Sequence, residues 1–63
     1  MENLLTVKEV AKLTRLAPSS IYGMVSQKVI PHIKIGARVV FSQRELEAWV
    51  EEKRQPVVPV TLP

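Results

Sequence analysis

No cysteine occurs in this chain and its one histidine is His32. Neither a disulfide nor a metal centre of about four ligands can therefore hold the fold together. At 63 residues there is room for one small core, because a chain of this size buries only about 60% of the surface its unfolded form exposes. Apolar packing alone must stabilise it. Absence of cysteine is compatible with a reducing cytosol. The start, Met1-Glu2-Asn3-Leu4-Leu5, has no basic leader and no long apolar stretch, which argues against a signal peptide. The longest apolar runs, such as Val39-Val40-Phe41, are three residues, against the roughly 20 needed to span a bilayer. A soluble, cytoplasmic protein without a membrane segment is expected.

A core this small needs every helix to start cleanly, and the sequence supplies the signals. Thr6-Val7-Lys8-Glu9 is a capping box, in which a threonine and a glutamate three residues apart satisfy free backbone N–H groups. Val10, Ala11 and Leu13 follow as an apolar stripe, predicting helix one over residues 7–13. Thr14-Arg15-Leu16-Ala17 breaks the pattern and reads as a turn. Pro18 suits the first turn of a helix, where its missing N–H would be unpaired anyway. Ile21, Met24 and Val25 share a face at i, i+3 and i+4. Helix two is predicted from Pro18 to Gln27, with Ser19, Gly23 and Ser26 on the other face and Ser20, Tyr22 and Gln27 towards the flanks.

Pro31 forbids further helix. His32-Ile33-Lys34-Ile35 alternates polar and apolar, the period of a half-buried strand. Gly36-Ala37 separates it from Val39-Val40-Phe41, and glycine tolerates the positive φ a tight hairpin turn requires. Ser42-Gln43-Arg44-Glu45 reads as a second capping box, opening helix three, whose Leu46, Trp49 and Val50 repeat the helical spacing while Glu47, Glu51, Glu52 and Lys53 mark its solvent side. From Gln55 to Pro63, Pro56, Pro59 and Pro63 alternate with valines, Thr61 and Leu62, so an extended tail is expected. The domain is accordingly placed at residues 1–54 and the Pro-rich tail at 55–63.

Charge is distributed unevenly along this plan. Residues 1–44 carry Lys8, Lys12, Arg15, Lys28, Lys34, Arg38 and Arg44 against Glu2 and Glu9. The remainder carries Lys53 and Arg54 against Glu45, Glu47, Glu51 and Glu52. A basic front and an acidic back suit a protein that turns one surface to a polyanion. The element order of helix, turn, helix, hairpin, helix predicts a mainly α fold with a small β-hairpin, a winged helix-turn-helix. In such folds the second helix enters the DNA major groove, where base edges are distinguishable. Ser19, Ser20 and Gly23 allow close approach there. The hairpin becomes a wing that sets Arg38 near its tip against backbone or minor groove, with Lys28, Lys34 and Arg15 as phosphate anchors on the same side.

Leu5-Thr6-Val7-Lys8-Glu9-Val10-Ala11, Ser19-Ser20-Ile21-Tyr22, Ile30-Pro31, Lys34-Ile35-Gly36-Ala37-Arg38, Phe41 and Glu45-Leu46-Glu47-Ala48-Trp49 together resemble the excisionase-type, MerR-like winged helix-turn-helix module. The resemblance spans residues 4–52. It implies double-stranded DNA as partner, in a prokaryotic or phage-encoded protein. The implied role is that of an excisionase, a recombination directionality factor that bends DNA and recruits a site-specific recombinase (integrase). The alternatives are a small phage-type transcription regulator of the same fold and a protein-interaction adaptor without DNA affinity. The chain departs from the family pattern at Ala17, often a serine cap; at Gly23, often arginine; at Lys28, usually glycine; and at Val40, a frequent wing arginine. Fewer basic contacts per monomer imply cooperative binding of several copies. The tail, Gln55–Pro63, is a candidate contact to a recombinase or a neighbouring copy.

The residues expected at DNA are thus Arg15, Ser19, Ser20, Tyr22, Gly23, Ser26, Gln27, Lys28, Lys34 and Arg38. Tyr22 either stacks or bonds phosphate, or packs partly buried. Trp49 reads as core and His32 as a surface strand residue. Glu9 and Glu45 read as capping groups, not an acid–base pair. With no glycine-rich phosphate loop and no nucleophile–base pair, no catalytic residue, metal or cofactor is expected.

Overall fold

A computed structural model describes residues 2–55. The order of elements is β1 (Leu4–Thr6), α1 (Val7–Thr14), α2 (Pro18–Ser26), β2 (Ile33–Ile35), β3 (Arg38–Ser42) and α3 (Gln43–Lys53). The three helices and the antiparallel sheet form a winged helix-turn-helix.

α1 begins on the complete capping box: Thr6 Oγ1 accepts from the Glu9 N–H at 3.1 Å, and Glu9 Oε1 accepts from the Thr6 N–H at 2.9 Å. It ends where Arg15 turns left-handed at φ 60° and the Leu16 N–H donates back to the Ala11 carbonyl at 3.1 Å. α2 starts without a side-chain cap at Ala17, relying on Pro18 in its first turn. It stops one residue short of the expected end. Gln27 is its cap, and Lys28 is left-handed at φ 59° while the Val29 N–H donates to the Met24 carbonyl.

The two-residue Gly36-Ala37 turn joins β2 to β3, with Gly36 at φ 61° and Ile35 opposite Arg38. The hairpin is not isolated, however. Leu4, Leu5 and Thr6 pair antiparallel with Ser42, Phe41 and Val40, giving strand order β1-β3-β2. β3 therefore lies between two partners, and Phe41 is fully buried. Around it sit Val10, Ile21, Val25, Ile30 and Leu46, with Leu5, Met24, Val39 and Trp49 partly buried against them. Truncating a phenylalanine so enclosed typically costs about 3–5 kcal/mol, a large share of what a small domain has.

Four expectations need correction. Leu13 and Val50 keep the core spacing of their helices but are 65% and 40% exposed, because no element among the described residues packs over them. Ile35 is exposed on β2, an edge strand, so the expected alternation buries less than its period suggests. His32 precedes β2 and is half-buried, its Nδ1 2.8 Å from the Ile30 carbonyl oxygen. The second capping box is only half formed. Ser42 Oγ accepts from the Glu45 N–H at 3.2 Å, but the hydroxyl donates to Glu2 Oε2 at 2.6 Å, and no return bond from Glu45 is made. Of the expected tail, residues 56–63 lie outside the described residues. No helix among the described residues is long and apolar enough to cross a membrane.

Candidate nucleic-acid interface

α2 buries Ile21 and Val25 and leaves Ser19, Ser20, Tyr22, Gly23 and Ser26 exposed. The capless start at Ala17 directs a free helix terminus outward, an arrangement that favours anions. Nothing lies within 4 Å of where a Cβ on Gly23 would stand. The helix face is therefore open and shallow, with small polar side chains from Ser19 to Ser26 set along about 10 Å of axis at 1.5 Å per residue.

Two grooves flank it. The first, of about 550 Å³, lies between the start of α1, α2 and the wing and is lined by Thr6, Lys8, Tyr22, Ile35 and Arg38 among others. The second, of about 530 Å³, is lined by Tyr22, Ser26, Lys28, His32 and Lys34. Tyr22 borders both and is 55% exposed, which supports the surface reading of its ring over the packed one. The wing owes its position to β3: Arg38 opens the strand, Val40 is paired on both sides, with Thr6 and Ile33, and Phe41 is paired with Leu5.

The structure thus gathers Tyr22, Ser26, Lys28 and Lys34 around one groove and Tyr22 with Arg38 around the other. Ser19, Ser20, Gly23 and Gln27 are exposed and line neither groove. Arg15 is exposed in the α1–α2 turn and also lines neither, so it stands beyond the opposite end of α2 from Lys28. Lys8 was missed by sequence reasoning. It occupies the first turn of α1 next to the capping glutamate, and only the pairing of β1 with β3 brings that turn beside the wing. Its spacing carried no signal of this.

Among the described residues one ion pair forms, Arg54 to Glu51 at 3.1 Å on α3. Lys8, Arg15, Lys28, Lys34 and Arg38 are exposed cations with no ion-pair partner among the described residues. Trp49 takes the structural part expected of it: its Nε1–H donates to the Val29 carbonyl, and Lys53 Nζ stands 5.5 Å from its ring centroid. No group of three or more His, Asp or Glu side chains suited to a metal occurs among the described residues.

A family model described as helix-turn-helix domain matches residues 4–54. No curated protein and no solved structure gives a significant match.

Proposed function

The chain belongs to the helix-turn-helix domain family, and from that premise we propose that it reads double-stranded DNA with α2 and the β2–β3 wing, acting as an excisionase-type architectural factor beside a site-specific recombinase. The observation that carries the DNA reading is the open face of α2 flanked by exposed cations, Lys8 and Arg38 on one side and Lys28 and Lys34 on the other. α2 lies in the major groove, where Ser19, Ser20, Gly23 and Ser26 permit close approach and hydroxyl contacts to bases or phosphates. Tyr22 and Gln27 contact the flanking backbone, as do Lys28 and Lys34. Arg38, at the wing, meets backbone or minor groove. Arg15 meets a phosphate at the far end of the helix.

The excisionase role is supported by the MerR-like motif set and by the modest number of cations per monomer. A domain with few phosphate contacts gains from neighbours bound in tandem, and a factor that assembles DNA for recombination works as several copies. The protein belongs, on this reading, to a prokaryotic or phage-encoded system and acts in the cytoplasm. Its partners are further copies on DNA and the recombinase.

The test is duplex binding as a function of salt, followed by an excision assay with any site-specific recombinase found encoded beside its gene. Each neutralised phosphate contributes about −0.9 to the slope of log affinity against log salt. A slope corresponding to roughly three to five contacts is expected, together with recombination that depends on the protein. Affinity unaffected by salt would overturn the phosphate-contact model, and absence of duplex binding would identify an adaptor that kept the fold without DNA affinity. Specific binding without any effect on excision would identify a transcription regulator.

A further inference from the structure

His32 shares the groove of about 530 Å³ beside α2 with Lys28 and Lys34, and the proposed function leaves it without a role. Local geometry fixes its place. Ile30 is buried in the core, Pro31 presets the backbone φ that follows it, and His32 Nδ1 stands 2.8 Å from the Ile30 carbonyl oxygen. A carbonyl oxygen only accepts, so Nδ1 carries the hydrogen and Nε2 of the neutral ring is left with a lone pair. Nε2 has no hydrogen-bond partner among the described residues.

The groups around the ring decide what it can hold. From α2 come the Tyr22 phenol and the Ser26 hydroxyl, from the connection after α2 comes Lys28, and from β2 comes Lys34. β3 contributes only the apolar Val39. No carboxylate among the described residues lines this groove. Two ammonium groups and an imidazole therefore share a space whose counter-charge has to come from outside.

We propose that His32 is a third phosphate ligand of this groove, holding a backbone phosphate of DNA as the imidazolium, so that duplex is bound with the uptake of one proton. The inference rests on the DNA reading of α2 and the wing. A phosphate oxygen is an acceptor, and so is the free nitrogen of the neutral ring, so the two cannot bond. A proton taken from solvent turns Nε2 into a donor and adds a charge, and it stays on the ring while the phosphate is bound. Hydrogen bonds between ionised partners are about twice as strong as neutral ones. Nδ1 keeps its bond to Ile30 in both forms, because the imidazolium donates from both nitrogens. The ring is thus already oriented before the phosphate arrives. Histidine is the side chain that ordinarily changes charge between about pH 5 and 8, and His32 is the one histidine of the chain. The hold of this groove on phosphate accordingly strengthens in a mildly acidic medium.

The experiment measures the affinity of the full chain for a short mixed-sequence duplex at fixed low salt, at pH 6 and at pH 8. Binding roughly fivefold to tenfold tighter is expected at pH 6. His32→Gln should bind at both pH values as the wild type does at pH 8, and His32→Lys should bind tightly at both. In wild-type protein, the ring resonances of His32 should titrate at higher pH with duplex present than without it. That readout needs no substitution, so it is independent of any effect of the variants on folding. Ring titration unmoved by duplex, or a pH dependence that survives His32→Gln, would overturn the proposal while the DNA reading stands. Absence of duplex binding at either pH would overturn both.

Discussion

The indole Nε1–H of Trp49 donates to the carbonyl of Val29 at 3.0 Å, so α3 holds the connection between α2 and β2 by a bond across the molecule. Trp49→Phe keeps an aromatic ring on α3 and removes that donor. A hydrogen bond of this kind contributes about 1 kcal/mol net. The urea midpoint should fall accordingly with the slope of unfolding free energy unchanged. An unaltered midpoint by far-UV circular dichroism would show that solvent replaces the bond without cost.

Among the described residues, Lys28 and Arg15 are the non-glycine residues at positive φ, and both are basic. A left-handed backbone costs a side-chain-bearing residue about 1–2 kcal/mol, part of which glycine returns as extra unfolded-state entropy. Lys28→Gly should therefore raise stability by about 0.5–1 kcal/mol. It should also weaken DNA binding and reduce the steepness of the salt dependence by about 0.9. Opposite movements of stability and affinity are expected in paired melting and anisotropy measurements. If both rise, Lys28 touches no phosphate.

Gly23 sits inside α2 with open space where a Cβ would stand. Gly23→Ala should stabilise the fold by about 0.5–1 kcal/mol, the usual difference within a helix. Gly23→Glu should leave the fold intact and abolish site-specific binding, through bulk and repulsion against the groove walls. Normal specific binding by a folded Gly23→Glu protein would remove α2 from the role of recognition helix.

Lys8→Ala and Arg38→Ala should weaken binding to specific and unrelated duplexes alike, each lowering the magnitude of the salt slope by about 0.9. Phosphate contacts position a protein without carrying sequence information. The comparison is a salt series on two duplexes per variant. A loss confined to the specific duplex would move Arg38 from anchoring to readout.

The carboxyl of Glu2 is held below the ordinary glutamate range, chiefly by the hydroxyl of Ser42, with a smaller contribution from Arg44. A depressed folded-state value means that the carboxylate form is the stabilising one. Its contribution is present above the ordinary value, about 4.3, and fades as pH falls from there through the lowered one. Glu2→Gln should melt below wild type at pH 6, and the gap should close towards pH 3. A gap that persists at low pH would mean that the Glu2 contact owes nothing to its charge.

The helices were legible because their signals are local. The Thr6–Glu9 box, Pro18 and Gly36 each specify a backbone geometry within four residues, and each appears where the sequence places it. β1 was not legible, since Leu4-Leu5-Thr6 is too short to show a period and exists only because β3 pairs with it. The same cause hid Lys8. Leu13 and Val50 misled in the other direction: periodicity says which face a residue shares, not whether anything covers that face. Ser42 shows the limit of motif reading, because its hydroxyl proton goes to Glu2, 40 positions away.

The placement of β3 between β1 and β2 also orders events in time. α1 and α2 lie close along the chain and can dock as soon as both exist, whereas Leu4 and Leu5 must wait for Ser42 and Phe41. Closing so long a loop is entropically costly and comes late. Arg38 lies on the strand that this closure fixes, so the wing reaches its final angle in the step that captures the N-terminus. A nascent chain that has released only α1 and α2 presents the proposed reading helix without the clamp beside it. On the proposed DNA reading, the reading helix and the wing are then complete together only once β1 has paired with β3.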